Sequence, residues 1–466
     1  MSWRYPLSLV STLRRRPLNR VALLRNWRTR AVFWCGAIGV GLLAVSFAQA
    51  CSWAIDWHAQ LVASWPVVSC TCAACRRASC VSDRPVRSLA WRSWSSAASV
   101  VAGPGSGVAN AGSRGSGIPQ AIAALDAAEP GPRSQLLSLR IAFSKILLTV
   151  AGLLFGASIG REGPTVHVGA SLMDALGRVA QFPFDYVRRS LILAGSAAGL
   201  SAAFNTPIAG IVFAIEEMSR SLEDRTTGTL ITAVIVAGVV ATGLLGDYTY
   251  FGVVKAQLPS ARSWIAVLLC GLGGGLAGGL FSWALIDGSR RLAPYSASRP
   301  YATAFALGLL VTLFALLSGG DTYGTGYEQT RNLLSGDSQS GMLFPLFKWM
   351  ATLASYLTGA PGGIFSSSLS TGGALGADLS YLVPQAPLSA MIILGMAGYF
   401  TGVTQSPLTG SVIVMEMVDG HTLILPILAT SFLALGVSRA VCKVPVYRAL
   451  AEPFKANAAT PAQKGL

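Results

Sequence analysis

Residues 156–171 read GASIGREGPTVHVGAS, and this stretch contains the features that decide the fold. Arg161 and Glu162 lie in a frame of glycines between two apolar segments, and Pro164 follows directly. A segment that only crossed a bilayer would avoid them, because charged side chains are costly at membrane depth and proline interrupts a helix. The stretch therefore predicts a helix break with a function, provided that the rest of the chain lies in a membrane.

The composition of the chain is that of a membrane protein. Of the 466 residues, 52% are hydrophobic and only 12% are charged, whereas a soluble domain has about 25% charged residues. Apolar stretches near the ~20 residues that span a bilayer recur along the chain. Examples are Ala31–Ile55, Thr226–Gly246, Trp264–Ile286, Ala302–Leu317 and Leu423–Val441. We therefore predict an all-α polytopic membrane protein.

The basic residues of the N-terminal region indicate orientation rather than nucleic acid binding, despite a net charge of +15. They precede the first apolar span, and they are Arg14, Arg15, Arg16, Arg20, Arg25, Arg28 and Arg30. Such a flank favours a cytoplasmic N-terminus and contact with anionic lipids, so no nucleic acid partner is expected. A signal peptide ending at Ala48-Gln49-Ala50 is the alternative, but the apolar run has full spanning length. We predict a basic cytoplasmic tail at 1–30, a first transmembrane helix with its flank at 31–66, and an inner (plasma) membrane location.

The segment from 67 to 112 does not fit this pattern. It is rich in Ser, Arg, Cys and Trp, and it contains half of the eight cysteines, namely Cys70, Cys72, Cys75 and Cys80. A zinc site is one interpretation, but the spacing CxCxxCxxxxC lacks paired CxxC units. A disulfide loop outside the cytoplasm is a second. We favour a third, a stretch translated in a shifted reading frame, because GC-rich coding sequence gives this composition out of frame.

Two later stretches resemble each other in one register without gaps. GSAAGLSAAFNTPIAGIVFAIEEM begins at residue 195, and GMAGYFTGVTQSPLTGSVIVMEMV begins at residue 395. The matched pairs are Gly195 with Gly395, Pro207 with Pro407, Gly210 with Gly410 and Glu216 with Glu416. Small-residue packing between membrane helices is the simpler explanation, but four matches in register favour a duplication. Transporters are often built from inverted repeats, so we predict transport repeats at 113–250 and 251–447. A short tail at 448–466 leaves too little chain for an appended regulatory domain.

Three glycine-rich entries can each start a helix inside the membrane: GSGIP at 115–119, GREGP at 160–164 and GGIF at 362–365. The first N–H groups of a helix have no intrahelical partner, and the positive end of the helix dipole lies there. Such an N-terminus binds anions without a lysine, and glycine lets the backbone approach a small ion closely. Irregular backbone at membrane depth is tolerated only where protein or water satisfies it. Together the three breaks indicate a site for a dehydrated anion.

These motifs, with AAFNTPIAGIVFAIEEM at 202–218, SPLTGSVIVMEM at 406–417 and a late tyrosine in KVPVYRAL at 443–450, resemble the CLC family of chloride channels and chloride/proton antiporters. The similarity covers roughly residues 115–451, and the ordered combination of motifs is highly specific. The resemblance implies a fold of two inverted-topology repeats with broken, tilted helices. It also implies a homodimer in the lipid bilayer, with one pathway for small inorganic anions in each subunit and no cofactor beyond the transported chloride and protons.

The resemblance implies a role for each matching residue. Ser116 and Tyr447 would contact the central chloride through their hydroxyls, and the backbone amides of Ile364 and Phe365 would complete that site. Glu162 would be the gating glutamate, whose carboxylate imitates the anion until protonation releases it. The remaining residues of the anion selectivity-filter motifs would be Gly115, Gly117, Ile118, Pro119, Gly160, Arg161, Gly163, Pro164 and Gly363. Without the resemblance, Glu162 would be assigned a salt bridge with Arg161, Ser116 a helix cap, and Tyr447 an interfacial anchor.

A second glutamate decides between antiporter and channel within the family. Glu217 matches the family's cytoplasmic proton-transfer glutamate, whereas Glu216 is expected to be structural. The simpler interpretation makes Glu217 a solvated helix end near Arg220. Glu162 together with Glu217 favours a chloride/proton antiporter, with a passive channel as the alternative. Serine at position 116 favours chloride over nitrate.

Two departures from the family pattern make a transport-defective homologue a further alternative. Ser367 occupies the position of a family proline, and the segment at 67–112 replaces the membrane helix that leads into GSGIP, which could misplace Ser116. An enzyme is not expected, because the chain has no HExxH and no Walker motif. No metal site is expected either. The only histidines are His58, His167 and His421, and His167, near the gate, is expected to serve packing or to line the pore.

Overall fold

The computed structural model describes residues 20–64, 111–127, 130–181, 185–219, 224–246, 248–336 and 341–459. Helices account for most of this part of the chain. They are α1 (Arg20–Ser64), α2 (Ile118–Asp126), α3 (Pro130–Leu136), α4 (Leu139–Leu154), α5 (Glu162–Val179), α6 (Asp185–Phe204), α7 (Pro207–Phe213), α8 (Asp224–Leu245), α9 (Ile265–Ser298), α10 (Pro300–Leu317), α11 (Tyr327–Ser335), α12 (Phe344–Leu357), α13 (Phe365–Leu379), α14 (Leu388–Thr404), α15 (Pro407–Val418), α16 (Ile424–Val441) and α17 (Val446–Ala459). The predicted all-α fold is confirmed.

Six stretches of the described residues are long and apolar enough to cross a membrane. They are Ala31–Val62, Arg133–Leu154, Gly228–Leu245, Ala261–Ser298, Pro300–Leu317 and His421–Val441. Five of them coincide with the spans predicted from the sequence. The prediction missed the stretch at Arg133–Leu154, because Lys145 and several polar residues interrupt its apolar run.

The first helix begins earlier than predicted. α1 starts at Arg20, within the segment predicted to be a tail at 1–30, and it ends at Ser64. No glycine or proline separates Arg20 from Ala31, and arginine, leucine and alanine all favour helix, so nothing stops the helix where the apolar residues end. Residues 1–19 and 65–110 lie outside the described residues. The interpretations of the four clustered cysteines and of the anomalous segment therefore stay predictions.

Matched positions of the two repeats have the same backbone conformation. α6 ends at Phe204 and α14 at Thr404, and the next residues, Asn205 (φ 57°) and Gln405 (φ 61°), are both left-handed. A proline two residues later then starts the next short helix in each repeat, where its missing N–H costs nothing. Two non-glycine residues with positive φ at matched positions are what a duplicated backbone produces.

The two halves also cap each other's helices. Glu216 follows α7 and accepts hydrogen bonds from the first turn of α15, while Glu416 in α15 accepts hydrogen bonds from the first turn of α7. The four bonds run from the backbone N–H groups of Leu408 (3.1 Å) and Thr409 (2.6 Å) to Glu216, and from those of Ile208 (3.1 Å) and Ala209 (2.7 Å) to Glu416. Each carboxylate satisfies N–H groups that have no intrahelical partner and meets the positive end of a helix dipole. Glu216 therefore has the structural role expected for it.

Glycine pairs set the closest helix contacts in both halves. Gly169 of α5 meets Gly195 of α6, and Gly372 of α13 meets Gly395 of α14. A Cβ on any of the four would collide with the partner's backbone carbonyl oxygen. Small residues let membrane helices approach this closely, and the resulting van der Waals contact drives their association.

A further repeat, which the sequence analysis did not find, lies before α2 and α11. GSG at 115–117 recurs as GTG at 324–326, and the four glycines have positive φ of 65°, 98°, 67° and 80°. Ser116 Oγ accepts a hydrogen bond from the backbone N–H of Ile118 (3.2 Å), and Thr325 Oγ1 accepts one from that of Tyr327 (3.3 Å). The motif that leads into α2 is therefore present in both halves.

A buried lysine holds each of these loops. Lys145 of α4 donates to the backbone oxygens of Arg114 (3.4 Å) and Gly115 (3.0 Å). Lys348 of α12 donates to the oxygens of Thr322 and Gly324, both at 2.9 Å. Both lysine side chains are completely buried. The Lys348 ammonium satisfies carbonyls that irregular backbone would otherwise leave unpaired at membrane depth. The Lys145 ammonium adds a second donor to carbonyls that also accept bonds from Gln120 Nε2 and the backbone N–H of Gly362.

Candidate functional site

Two glycines join the entries of α5 and α13. The backbone N–H of Gly160 donates to Gly363 O (2.6 Å), and the N–H of Gly363 donates to Gly160 O (2.7 Å). This antiparallel bridge pairs one residue from each half of the chain. Because both helices start within three residues of the bridge, their N-termini lie side by side. The helix break at residues 160–164 is therefore one half of a structure to which both halves of the chain contribute.

The carboxylate of Glu162 lies at this double N-terminus. Glu162 is the first residue of α5 and is completely buried. Its Oε1 accepts a hydrogen bond from Ser366 Oγ, and the carboxylate also interacts with the backbone N–H groups of Glu162 and Ser366. A Cβ at Gly160 would collide with Oε2, so glycine there lets the carboxylate fold back over the bridge. The side chain thus occupies the place that the helix N-termini offer to an anion.

Arg161 does not form the salt bridge with Glu162 that the simpler interpretation required. Its guanidinium donates to Ala48 O (2.7 Å) and to Ser52 Oγ (3.0 Å), both on α1. Neighbouring residues at the start of a helix point to different sides, and here they serve different contacts. Arg161 attaches the break to α1 and leaves the Glu162 carboxylate for the helix N-termini.

Ser116 lies against the first turn of α5. It is completely buried, and a Cβ at Gly163 would lie 2.8 Å from both Ser116 O and Ser116 Oγ. Glycine at position 163 therefore permits the close approach of the Ser116 loop. His167, one turn further along α5, packs its Cβ against Gly117 and bonds Leu136 O through Nε2 (3.0 Å). This contact fits the packing role considered for His167.

Two tyrosines lie near the glutamates and Ser116: Tyr356 contacts Ser116, and Tyr447 interacts with Tyr356 and with both glutamates. The backbone of Ser116 hydrogen-bonds the hydroxyl of Tyr356, a residue of α12 that the sequence analysis did not identify. Tyr447 of α17 is completely buried, and its hydroxyl has no hydrogen-bond partner among the described residues. Tyr447 interacts electrostatically with Glu217, Tyr356 and Glu162. Complete burial excludes the role of an interfacial anchor and leaves a hydroxyl donor directed into the protein.

The N-terminus of α13 is intact despite the missing proline. Ile364 and Phe365 start the helix, both almost completely buried, so their backbone N–H groups lie in its unpaired first turn. Ser367 continues the helix in place of the family proline, and the N–H of Ser368 already bonds Ile364 O (2.9 Å). Serine is readily accommodated near a helix start, so the substitution leaves the two predicted amides in position.

Glu217 is buried rather than solvated. It lies in a π-helical stretch, Ala214–Ser219, that follows α7, and its side chain is completely buried. Its Oε2 accepts a hydrogen bond from Ser406 Oγ at the start of α15. The simpler interpretation, a solvated helix end, is therefore wrong, and Arg220 lies outside the described residues. Such π-helical insertions frequently mark functional positions.

The chain is similar to known membrane transport proteins. The family model "Voltage gated chloride channel" matches residues 98–439 of the chain. The H(+)/Cl(-) exchange transporter ClcA of Vibrio vulnificus, strain YJ016, is 31% identical over 350 residues, which are 72% of this chain and 73% of that transporter.

Solved structures share the fold. A slow cyanobacterial Cl-/H+ antiporter has a TM-score of 0.75 at 24% identity, with 92% of this chain and 98% of that chain covered. A CLC-type fluoride/proton antiporter has a TM-score of 0.71 at 20% identity, with 90% and 97% covered.

Proposed function

Because the chain belongs to the voltage gated chloride channel family, we propose that it exchanges chloride for protons across a membrane, with Glu162 as the gate. One observation carries the proposal. The Glu162 carboxylate occupies the paired N-termini of α5 and α13, where a chloride ion would find the same N–H donors. The ClcA relative is named as a proton/chloride exchanger, and 31% identity over most of both chains supports the same exchange here.

The chloride site adjoins this gate. We assign its ligands to the hydroxyls of Ser116 and Tyr447 and to the backbone amides of Ile364 and Phe365. The unpartnered, completely buried Tyr447 hydroxyl supports this assignment, since a buried donor without a partner costs free energy unless a ligand satisfies it. None of these four ligands carries a positive charge, so chloride is held by N–H and O–H dipoles and can leave again.

Exchange follows from competition for one position. While Glu162 is ionised, its carboxylate fills the helix N-termini and excludes chloride. A proton neutralises the carboxylate and weakens its hold on the N–H donors, since charged acceptors form the stronger bonds. The side chain then leaves, and chloride enters. Return of the carboxylate requires the proton to leave, so anion and proton move in opposite directions.

Glu217 supplies the second proton position. It is completely buried, and Tyr447 interacts with both glutamates. We propose that Glu217 exchanges protons with the cytoplasm and that Ser406 orients its carboxylate. The family resemblance further supports a homodimer, and the arginine-rich flank before the first apolar span supports a cytoplasmic N-terminus in the inner membrane.

Purified protein in liposomes tests the function. An imposed chloride gradient should drive protons against their own gradient, followed as a change in external pH. Chloride flux without proton movement would mean a passive channel. If neither ion moves, although thermal melting shows that the protein is folded, the protein is a transport-defective homologue.

Replacing Glu217 by glutamine should stop proton movement and leave chloride flux, because the amide cannot carry the proton inward. Proton and chloride flux are measured in the same vesicles. Glu328→Gln is the matched control, since Glu328 is exposed on α11 and should behave as wild type. Wild-type coupling in Glu217→Gln would remove Glu217 from the proton path.

A further inference from the structure

Ser366 contacts the gate with two donors. Its hydroxyl donates to Glu162 Oε1, and its backbone N–H also interacts with the carboxylate. Ser366 is almost completely buried, on the first turn of α13. It belongs to a run of three serines, but the hydroxyls of Ser367 and Ser368 have no hydrogen-bond partner among the described residues. Of this run, only Ser366 reaches Glu162 with its side chain.

Tyr250 lies near the Ser366 side chain. Its hydroxyl interacts with Ser366. Tyr250 is itself fixed: Tyr327 Oη donates to its backbone oxygen (3.0 Å), and its ring packs edge-on against Phe204, with ring centroids 5.1 Å apart. The Ser366 hydroxyl therefore donates to the Glu162 carboxylate and has the Tyr250 oxygen nearby as a second acceptor.

We propose that Ser366 is a positioning residue that latches Glu162 in the closed gate and that Tyr250 receives the latch when the gate opens. The proposal rests on the proposed role of Glu162. A hydroxyl bonds a carboxylate more strongly than a neutral carboxyl group. When Glu162 takes up a proton, the Ser366 hydrogen turns to Tyr250, and the carboxyl group is free to leave. The latch therefore sets how acidic the medium must be before the gate opens.

Other titratable groups also face Glu162. Arg161 precedes it, Cys51 approaches from α1, Tyr250 from the segment after α8, and Tyr447 from α17. All four side chains are still present when Ser366 is replaced by alanine, and of the four only Tyr250 loses a contact with Ser366. A change in the pH dependence of that variant therefore reports the lost hydroxyl.

Ser366→Ala in liposomes tests the latch through the pH profile of chloride flux. Loss of a donor to the charged carboxylate should move the half-maximal pH upward by about one unit, a ten-fold change in proton affinity. Chloride flux at neutral pH should rise several-fold, and proton coupling should persist because Glu162 remains. Tyr250→Phe should change the half-maximal pH of chloride flux by less than Ser366→Ala does. It removes only the second acceptor, and the hydroxyl of Ser366 still donates to Glu162.

Ser368→Ala is the matched control, since it removes a buried hydroxyl of the same helix that has no partner among the described residues. Its profile should equal that of wild type. A wild-type profile in Ser366→Ala would overturn the latch while leaving the exchange intact. If Ser366→Ala does not fold, Tyr250→Phe decides, and a flux identical to wild type at every pH overturns the proposal. Absence of proton coupling in the wild type itself would refute the proposed function instead.

Discussion

Glu162→Ala should transport chloride without moving protons. Alanine leaves the N–H donors at the start of α5 and α13 in place, so chloride can still bind. It removes the only side chain of the described residues that fills this position in the closed state. Proton movement driven by a chloride gradient should fall to the level of protein-free vesicles, and chloride flux should lose its dependence on pH.

Two features of this experiment make it decisive. The control Glu328→Ala removes an exposed carboxylate and should keep full coupling. Chloride flux measured in the same vesicles shows that the variant is folded and inserted. Proton coupling at the wild-type level in Glu162→Ala would contradict the gate and the exchange cycle built on it.

Lys145→Met and Lys348→Met should both destabilise the protein, but only the first should impair chloride binding. Lys348→Met leaves two buried carbonyl oxygens without their donor, and an unsatisfied buried group costs about 1–3 kcal/mol. Lys145→Met removes one donor from the oxygens of Arg114 and Gly115, which keep bonds from Gln120 Nε2 and the Gly362 N–H, so its cost should be smaller. Lys145 holds the loop of Ser116, a predicted chloride ligand, whereas Lys348 holds the loop of Thr325 in the other half. The two variants thus separate the structural role from the functional one.

Thermal melting in detergent measures both effects. A ligand that binds only the folded state raises the melting temperature with its concentration, so chloride should protect wild type and Lys348→Met and should protect Lys145→Met less. Lys255→Met, on an exposed site, is the control and should melt like wild type. Stability of Lys145→Met equal to that of wild type would show that the buried ammonium is dispensable.

The sequence identified the glutamates because both stand in recognisable motifs, but it could not identify what holds them. Ser366 and Glu162 are 204 positions apart, and Ser406 and Glu217 are 189 apart. The hydrophobic periodicity of the helices does not specify which helix N-terminus contacts which glutamate. Ser366 directly follows the GGIF motif, but the family pattern marks only its neighbour Ser367, which replaces a proline. The hydroxyl of Ser367 lacks a hydrogen-bond partner among the described residues.

Lys145 carried a signal that the sequence analysis did not use. A lysine inside an apolar helix is costly unless it has a partner, which makes it a candidate for a role in itself. Its partner carbonyls lie 30 and 31 residues away in an irregular loop, and loop geometry of this kind is not encoded in a hydrophobic pattern. The recurrence of GSG as GTG would have indicated the second lysine once the first was recognised.

The exchanged caps of Glu216 and Glu416 mean that neither half of the molecule is complete on its own. A half-length chain carrying one such glutamate would leave the start of its own short helix bare, and its carboxylate would lack a donor. Two identical half-length chains related by a two-fold axis would supply both, by the same four bonds. The contact that joins the halves is therefore one that a symmetric pair of separate half-length chains could form, and a single chain adds only the link between them.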